Sequence, residues 1–224
     1  MPGFEQSPAA AAPLFGGPPS DEKRGDKQHV GWKIMSLFLQ FRIAARHLVG
    51  RSWHLTKVFY WWFGIPLEGR PDDEVWYFSF GSNMHDSAFR ERRKMRPLEW
   101  RAGRITGYRL RFNLEGRPKG RAAPANIEQS AKSEVWGVLY RITRKDLIWL
   151  EATEGVGRGR YRPLWTEATD KGGIRLPCVT YIAKGEDADG RPSLRYITLL
   201  RDGARAHELP QEWIAFLDKI EPAE

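Results

Sequence analysis

The sequence predicts an α+β fold, a compact mixed β-barrel flanked by helices and preceded by an N-terminal extension. Segments of alternating apolar and polar residues predominate in the C-terminal two thirds, Gly- and charge-rich turns separate them, and few segments carry helical signals. Of the 224 residues, 41% are hydrophobic and 29% are charged, which is typical of soluble globular proteins and excludes a fibrous or wholly disordered chain.

Five segments alternate in the way expected of half-buried strands. They are Val75–Phe80, Arg104–Phe112, Val135–Ile142, Arg162–Glu167 and Ile174–Ala183. The strands outnumber the helices, so the sheet is expected to close into a small barrel with the helices packed outside it.

Two helices are indicated by their start signals and apolar spacing. Thr143 and Asp146 form a capping-box arrangement, and the helix that they begin ends near Gly155. Pro210 suits the first turn of a second helix. The second helix places its apolar residues on one broad face: Trp213, Ile214, Phe216, Leu217 and Ile220.

The composition divides the chain into three parts. Residues 1–28 are rich in Pro, Ala and Gly and end in a mixed-charge run, so we expect a disordered tail. Residues 29–70 are expected to form a basic amphipathic helical and aromatic extension. Residues 71–224 are expected to form the globular domain.

The extension has more than one interpretation. Its apolar residues recur at helical spacing, and its basic residues have no acidic neighbours on the helix. One interpretation is that residues 30–64 contact an anionic membrane surface or a partner protein, and the other is that they pack on the same chain. A third is that translation begins at Met35. The apolar residues are Ile34, Phe38, Phe41, Ala45 and Leu48, and the basic residues are Lys33, Arg42, Arg46, Arg51 and Lys57.

The charge distribution argues against a nucleic-acid partner. The 36 Lys and Arg residues exceed the 28 Asp and Glu residues, for a net charge of +8, but half of this excess lies in residues 1–70. The rest of the chain is only mildly basic, so nucleic acid is an unlikely partner. No stretch of the sequence resembles a signal peptide or a membrane-spanning helix, so we expect a cytoplasmic protein.

The sequence carries no pattern for a metal or a cofactor. Its five histidines are scattered without metal-ligand spacing, and no HExxH, CxxC or P-loop motif occurs. The single cysteine, Cys178, stands in an apolar strand, where a buried hydrophobic role is favoured over that of a nucleophile. We therefore expect neither a metal nor a cofactor.

Two features remain as candidates for chemistry. The turn Gly81-Ser82-Asn83-Met84 follows a strand, and successive backbone N–H groups in such a turn form a concavity that suits a carboxylate or a phosphate. Glu151 and Glu154 lie near a helix C-terminus, where the helix dipole disfavours negative charge, so Glu154 does not serve helix stability. The alternatives are a plain turn and a solvent-facing glutamate.

Four ordered segments together resemble the γ-glutamylcyclotransferase-like family, over residues 75–220. The segments are Tyr77 to Met84, Val135 to Tyr140, Leu150 to Tyr161, and Tyr196 with Gly203-Ala204 and Leu209-Pro210. The resemblance implies a mixed β-barrel and makes residues 71–224 a catalytic domain. It also implies an enzyme that releases 5-oxoproline from a small γ-glutamyl compound and needs no cofactor.

The resemblance also implies roles for individual residues. Glu154 matches the catalytic acid/base, and Glu151 is taken as supporting. The substrate-binding residues are Phe80, Gly81, Ser82, Asn83 and Met84 of the loop, with Tyr161 and Tyr196 in the same cavity. Phe80 departs from the family, which commonly has Tyr before Gly-Ser-Asn, so the substrate preference is open. The leaving amine and the oligomeric state are not indicated by the sequence.

Two other functions compete with this one. A member of the same fold that binds a ligand without turning it over is compatible with the loss of the hydroxyl at Phe80. A basic protein that binds membranes or nucleic acid through residues 30–64 is the other, and it would bind with steep salt dependence.

Overall fold

The computed structural model describes residues 69–116, 122–154 and 161–223, and Glu154 by its place in a helix only. The expected tail and nearly all of the expected extension lie outside these residues, so those predictions remain untested. Within the described residues, no helix is long and apolar enough to cross a membrane.

The described residues form a closed five-stranded barrel, which confirms the predicted fold class. The strands are β1 (Glu74–Ser79), β2 (Glu99–Arg111), β3 (Asn126–Thr143), β4 (Arg162–Asp170) and β5 (Arg175–Ile182). Their order around the barrel is β1-β3-β2-β4-β5. Every pairing is antiparallel except that of β5 with β1, which closes the barrel through Trp76 beside Cys178 and Tyr77 beside Val179.

The β2–β3 hairpin is longer than the sequence pattern predicts. β2 begins five residues before the predicted Arg104, and β3 begins nine residues before Val135. The additional parts contain many charged and polar residues, several of which pair across the strands, while Ala102 and Ile127 are among their few buried residues. For example, Arg111 lies 2.5 Å from Glu128 across the hairpin. Because few residues of these ends are buried, their periodicity is too weak to predict a strand.

Three helices pack outside the barrel: α1 (Arg144–Glu154), α2 (Leu194–Ala206) and α3 (Gln211–Asp218). The predicted start of α1 is confirmed, since the Thr143 hydroxyl accepts a hydrogen bond from the Asp146 N–H at 3.1 Å. α3 begins after Pro210 as predicted, although Phe216 is exposed.

α2 was not predicted as a helix. Its signals are present in the sequence, because Ser193 caps it and Ile197, Leu200 and Ala204 recur at helical spacing on the buried side. An interior glycine, Gly203, weakens the helical pattern, since glycine is disfavoured inside helices. Tertiary packing explains this glycine.

The core lies inside the barrel and beneath the helices. Its largest fully buried side chains come from β1, β3 and the helices, among them Phe78, Tyr140, Leu150 and Leu200. Cys178 is fully buried and free, as expected of a small hydrophobic residue. Burial raises the pKa of its thiol to about 12, which keeps the thiol protonated.

Gly203 sets the distance between α2 and the turn that follows β1. A Cβ at this position would lie 2.7 Å from the Met84 carbonyl carbon and 2.8 Å from the Met84 Cβ. Such distances are shorter than van der Waals contact, so no larger residue fits without displacing the backbone. The helix therefore rests directly on the turn formed by Gly81 to Met84.

We predict that Gly203→Ala lowers the free energy of unfolding by about 1–3 kcal/mol because of overpacking. Ala206→Gly, the reverse change at the exposed last residue of the same helix, is the matched control and costs at most about 1 kcal/mol through propensity. Helix propensity alone would make Gly203→Ala stabilising and Ala206→Gly destabilising, whereas overpacking at position 203 makes both variants destabilising. The free energies of unfolding of the two variants, measured with urea, distinguish these two effects. A Gly203→Ala protein as stable as the unmodified chain would contradict the prediction.

Candidate active site

The site begins where β1 ends. Residues Ser82–Met84 form a single 3-10 turn directly after Phe80 and Gly81, closed by a hydrogen bond from the Met84 N–H to the Gly81 carbonyl at 3.0 Å. The following Ser87–Arg92 segment is π-helical, a rare form that is frequent at functional sites. We call residues 80–84 the substrate loop.

A cavity of about 120 Å³ lies against the substrate loop. At about 30 Å³ for each water molecule, it holds the volume of about four waters, which suits a small polar group. Four tyrosines line it, together with hydroxyl, amide and guanidinium groups. The lining residues are Tyr77, Ser79, Phe80, Gly81, Ser82, Asn83, Arg93, Pro124, Ala125, Tyr161, Thr180, Tyr181 and Tyr196.

The cavity brings together most of the predicted substrate-binding residues. Phe80 to Asn83 of the substrate loop face Tyr161, which precedes β4, and Tyr196 in the first turn of α2. Met84 differs, because its side chain is fully buried beneath the loop, against Gly203. Met84 therefore supports the loop from below, while the other six line the cavity.

Asn83 links residues on two sides of the loop. It is 4% exposed, and its amide nitrogen donates to the Tyr77 hydroxyl at 2.9 Å. Its amide oxygen accepts a hydrogen bond from the Arg93 Nε at 2.7 Å. Both ends of the side chain are engaged, so its contribution to the site is to fix the loop and the Tyr77 hydroxyl.

Tyr196 closes the cavity over Gly81. Its hydroxyl accepts a hydrogen bond from the Ala125 N–H at 3.2 Å. A Cβ at Gly81 would lie 3.0 Å from that hydroxyl oxygen, so a side chain at this position would push Tyr196 away. The loop glycine thus allows the tyrosine to approach the backbone closely.

The two predicted carboxylates belong to the last turn of α1. Glu151 is half-buried, and burial raises the pKa of its carboxyl group to about 7, although the Tyr181 hydroxyl and the charge of Arg144 act in the opposite direction. Tyr181 in turn lines the cavity. Glu154 ends α1, one turn further on, and its side chain lies outside the described residues.

Sequence reasoning missed several lining residues. Tyr77 and Ser79 alternate along β1 and therefore point to the same side, a signal available from the sequence. The Ser79 hydroxyl is buried and has no hydrogen-bond partner among the described residues. Arg93 belongs to a basic run in the sequence, Arg90, Arg92, Arg93, Lys94 and Arg96, a pattern that more often marks a solvated helix face. It follows the π-helical segment directly, and its guanidinium lines the cavity.

The described residues offer no cluster of three or more His, Cys, Asp or Glu side chains that could hold a metal ion. The polar groups around the cavity are hydroxyls, one amide and one guanidinium. Such groups bind and orient an organic substrate through hydrogen bonds.

Comparison with known proteins identifies the family of this chain. Residues 134–217 match the AIG2-like family. A γ-glutamylcyclotransferase of Mus musculus is 30% identical over 159 residues, which span 70% of this chain and 84% of the mouse protein. The chain belongs to the γ-glutamylcyclotransferase family. The resemblance noted from its four segments is thereby confirmed.

Other relatives agree with this membership. A γ-glutamyl cyclotransferase of Aspergillus oryzae is 31% identical over 166 residues, which cover 64% of this chain and 60% of the fungal protein. The solved structure of a γ-glutamyl cyclotransferase covers 68% of this chain and 90% of its own, with a TM-score of 0.61 and 25% identity. A human protein of solved structure superposes with a TM-score of 0.60 and 26% identity, over 67% of this chain and 90% of its own.

The raised pKa of the Glu151 carboxyl group predicts how the free energy of unfolding depends on pH. Its pKa is about 7 in the folded chain and near the ordinary 4.5 when unfolded, so the folded state retains the proton over this interval. The contribution of this retained proton to the free energy of unfolding is fully present below about pH 4.5 and is lost as the pH rises through about 7. Relative to Glu151→Gln, which mimics the neutral form, the unmodified chain should lose up to about 3 kcal/mol between pH 4.5 and 8.

The measurement is the free energy of unfolding by urea of both proteins at several pH values. Parallel curves for the unmodified chain and the Glu151→Gln variant would contradict the raised pKa. A control variant, Glu212→Gln, replaces an exposed glutamate in the first turn of α3 and should leave the pH dependence unchanged.

Proposed function

We propose that the protein is a γ-glutamylcyclotransferase that converts a γ-glutamyl amine or γ-glutamyl amino acid into 5-oxoproline and the free amine, with Glu154 as general acid/base. The observation that carries the proposal is the cavity, in which the substrate loop, Tyr161 and Tyr196 converge from separate parts of a family member's chain. The small polar volume of the cavity suits a γ-glutamyl group, and the departing amine would extend toward solvent.

The reaction requires positioning and proton transfer. The α-amine of the γ-glutamyl group attacks its own γ-carbonyl carbon, a five-membered ring forms, and the bond to the leaving amine breaks. The nucleophile is within the substrate, so the protein need only hold the reacting conformation and move protons. N–H groups of the substrate loop would hold the glutamyl group and stabilise the developing oxyanion.

Glu154 would serve both proton transfers. As a base it takes a proton from the α-ammonium group, and as an acid it delivers a proton to the departing nitrogen. A group that does both works best with a pKa near the operating pH. Glu151, one turn earlier on the same helix, has its pKa raised to about 7 by burial. Burial at this end of α1 thus brings the pKa of a carboxyl group near neutral pH, which supports proton transfer by a carboxyl group in this region.

Ser79 is a further candidate for substrate contact. It is 2% exposed, lines the cavity, and its hydroxyl has no other partner among the described residues. A buried hydroxyl that is unpaired in the free protein gains a hydrogen bond when a polar ligand enters. The hydroxyl belongs to the last residue of β1, two residues before Gly81.

A second candidate function is ligand binding without turnover. Phe80 favours it, because the family commonly has Tyr at this position and the phenyl ring removes a hydroxyl from the cavity wall. Phe80 lines the cavity and is 7% exposed, so the loss concerns the site itself. A non-catalytic member would bind a γ-glutamyl compound and leave it unchanged.

We predict that Glu154→Gln reduces 5-oxoproline release by a factor of at least about 100, because proton transfer by a positioned group contributes about 10²–10⁴-fold. The assay measures 5-oxoproline from a panel of γ-glutamyl amino acids, γ-glutamyl amines, glutathione and a γ-glutamyl-lysine isopeptide. Glu212→Gln is the matched control and should retain full activity.

Each result has a distinct meaning. Release that is lost in the variant, with both proteins folded by circular dichroism, establishes the reaction and the role of Glu154. Substantial activity in the variant would refute the role of Glu154 alone. No release from any substrate by the folded, unmodified chain, together with saturable binding by calorimetry, would favour the ligand-binding function.

We also predict that Phe80→Tyr changes substrate preference while leaving 5-oxoproline release in place. A hydroxyl added to the cavity wall forms a hydrogen bond with some leaving groups and is left unpaired against others, which alters the ratio of kcat/KM values by about tenfold. The comparison is the rank order of kcat/KM over the panel for both proteins. An unchanged order would mean that position 80 does not face the leaving group.

A further inference from the structure

We propose that Arg93 is a positioning residue that holds the substrate loop at a fixed distance from the end of α1, where Glu154 stands. The inference rests on the proposed function and extends it to a residue outside the four segments of the family resemblance. It concerns geometry, and Arg93 takes no part in proton transfer.

The Arg93 guanidinium bridges the two parts of the site. Its Nε donates to the Asn83 amide oxygen in the substrate loop at 2.7 Å. Its Nη1 donates to the Thr153 hydroxyl oxygen at 2.5 Å. Thr153 immediately precedes Glu154 on α1, so one side chain connects the loop with the helix turn that ends in the candidate acid/base.

Both acceptors are themselves held in place. The Asn83 amide nitrogen donates to the Tyr77 hydroxyl at 2.9 Å, which ties the loop to β1. The Thr153 hydroxyl donates to the Leu150 carbonyl at 2.8 Å, which directs its oxygen toward the guanidinium. The bridge therefore runs between two fixed groups and fixes their separation, as connected hydrogen bonds in a partly buried site do.

The backbone places Arg93 for this contact. Its carbonyl accepts a hydrogen bond from the Trp149 indole Nε1 on α1 at 2.9 Å, so the main chain as well as the side chain is joined to the helix. Arg93 follows the π-helical segment, and Lys94 has a left-handed φ of 58°. Such a conformation is costly for a residue other than glycine and concentrates at functional sites.

Only a guanidinium fits both contacts. Its N–H donors lie in one plane at fixed angles, so Nε and Nη1 can reach two separate acceptors together. A lysine ammonium is a single point on a flexible chain and would satisfy one acceptor at a time. The bridge thus depends on the shape of the group as well as on its charge.

The consequence is a selective effect on kcat. A loop that is held less tightly still binds the γ-glutamyl group, but the reacting atoms and the acid/base are less often aligned. We expect Arg93→Met and Arg93→Lys to reduce kcat by about 10–100-fold and to change KM by less than about threefold, since a displacement of about 1 Å can cost about 10²-fold. Arg96→Met, at an exposed position of the same segment, should leave both constants unchanged.

A double-mutant cycle with Thr153 tests the bridge itself. Thr153→Val keeps the shape and removes the acceptor, so its kcat should fall, whereas Thr153→Ser keeps the hydroxyl and should remain near the unmodified value. Since both substitutions break the same Arg93–Thr153 contact, the double variant Arg93→Met with Thr153→Val should be no slower than the slower single variant. Added guanidinium ion should restore part of the kcat of Arg93→Ala and none of that of Thr153→Val.

The outcomes separate this inference from the proposed function. An active unmodified chain whose Arg93 variants keep their kcat, or whose cycle is additive, overturns the role of Arg93 and leaves the reaction standing. A rise in KM at constant kcat also overturns it, because Arg93 would then contact the substrate. An unmodified chain that releases no 5-oxoproline overturns both.

Discussion

The short parallel pairing of β1 with β5 is the contact on which the cavity depends. It spans only Trp76 and Tyr77 of β1, and the Thr180 hydroxyl extends it by donating to the Phe78 carbonyl at 2.8 Å. This pairing closes the barrel and sets the end of β1 beside Thr180 and Tyr181. On its other side β1 stays paired with β3 through Ser79, and the substrate loop begins at the next residue.

The loop is then held from both sides by different forces. Apolar contact acts from below, where Met84 fills the space that Gly203 leaves on α2. Polar contact acts from above, where Asn83 joins Tyr77 and Arg93. Packing resists compression but has little directional preference, whereas hydrogen bonds fix direction and lose energy when stretched. Together they give the loop one position, as a site that works by alignment requires.

The sequence predicted the fold class and the position of the substrate loop in the chain, because both follow from local patterns. A buried strand face alternates, and a turn after a strand contains glycine. The ends of the β2–β3 hairpin and helix α2 could not be found in this way, since cross-strand charge pairs and a helix glycine packed on Met84 depend on partners distant in the sequence. Arg93 shows the same limit. Its neighbours in the chain form a basic run typical of a solvated surface, whereas the folded chain places its guanidinium at the cavity.

Burial and charge act against each other around the end of α1, and the balance suits proton transfer. Burial raises the pKa of Glu151, while the Tyr181 hydroxyl and Arg144 lower it, so burial is the larger influence. The Arg93 guanidinium donates to the Asn83 amide oxygen and to the Thr153 hydroxyl oxygen at this helix end. In the proposed site, these two contacts fix the geometry of the turn in which burial acts on the carboxyl groups.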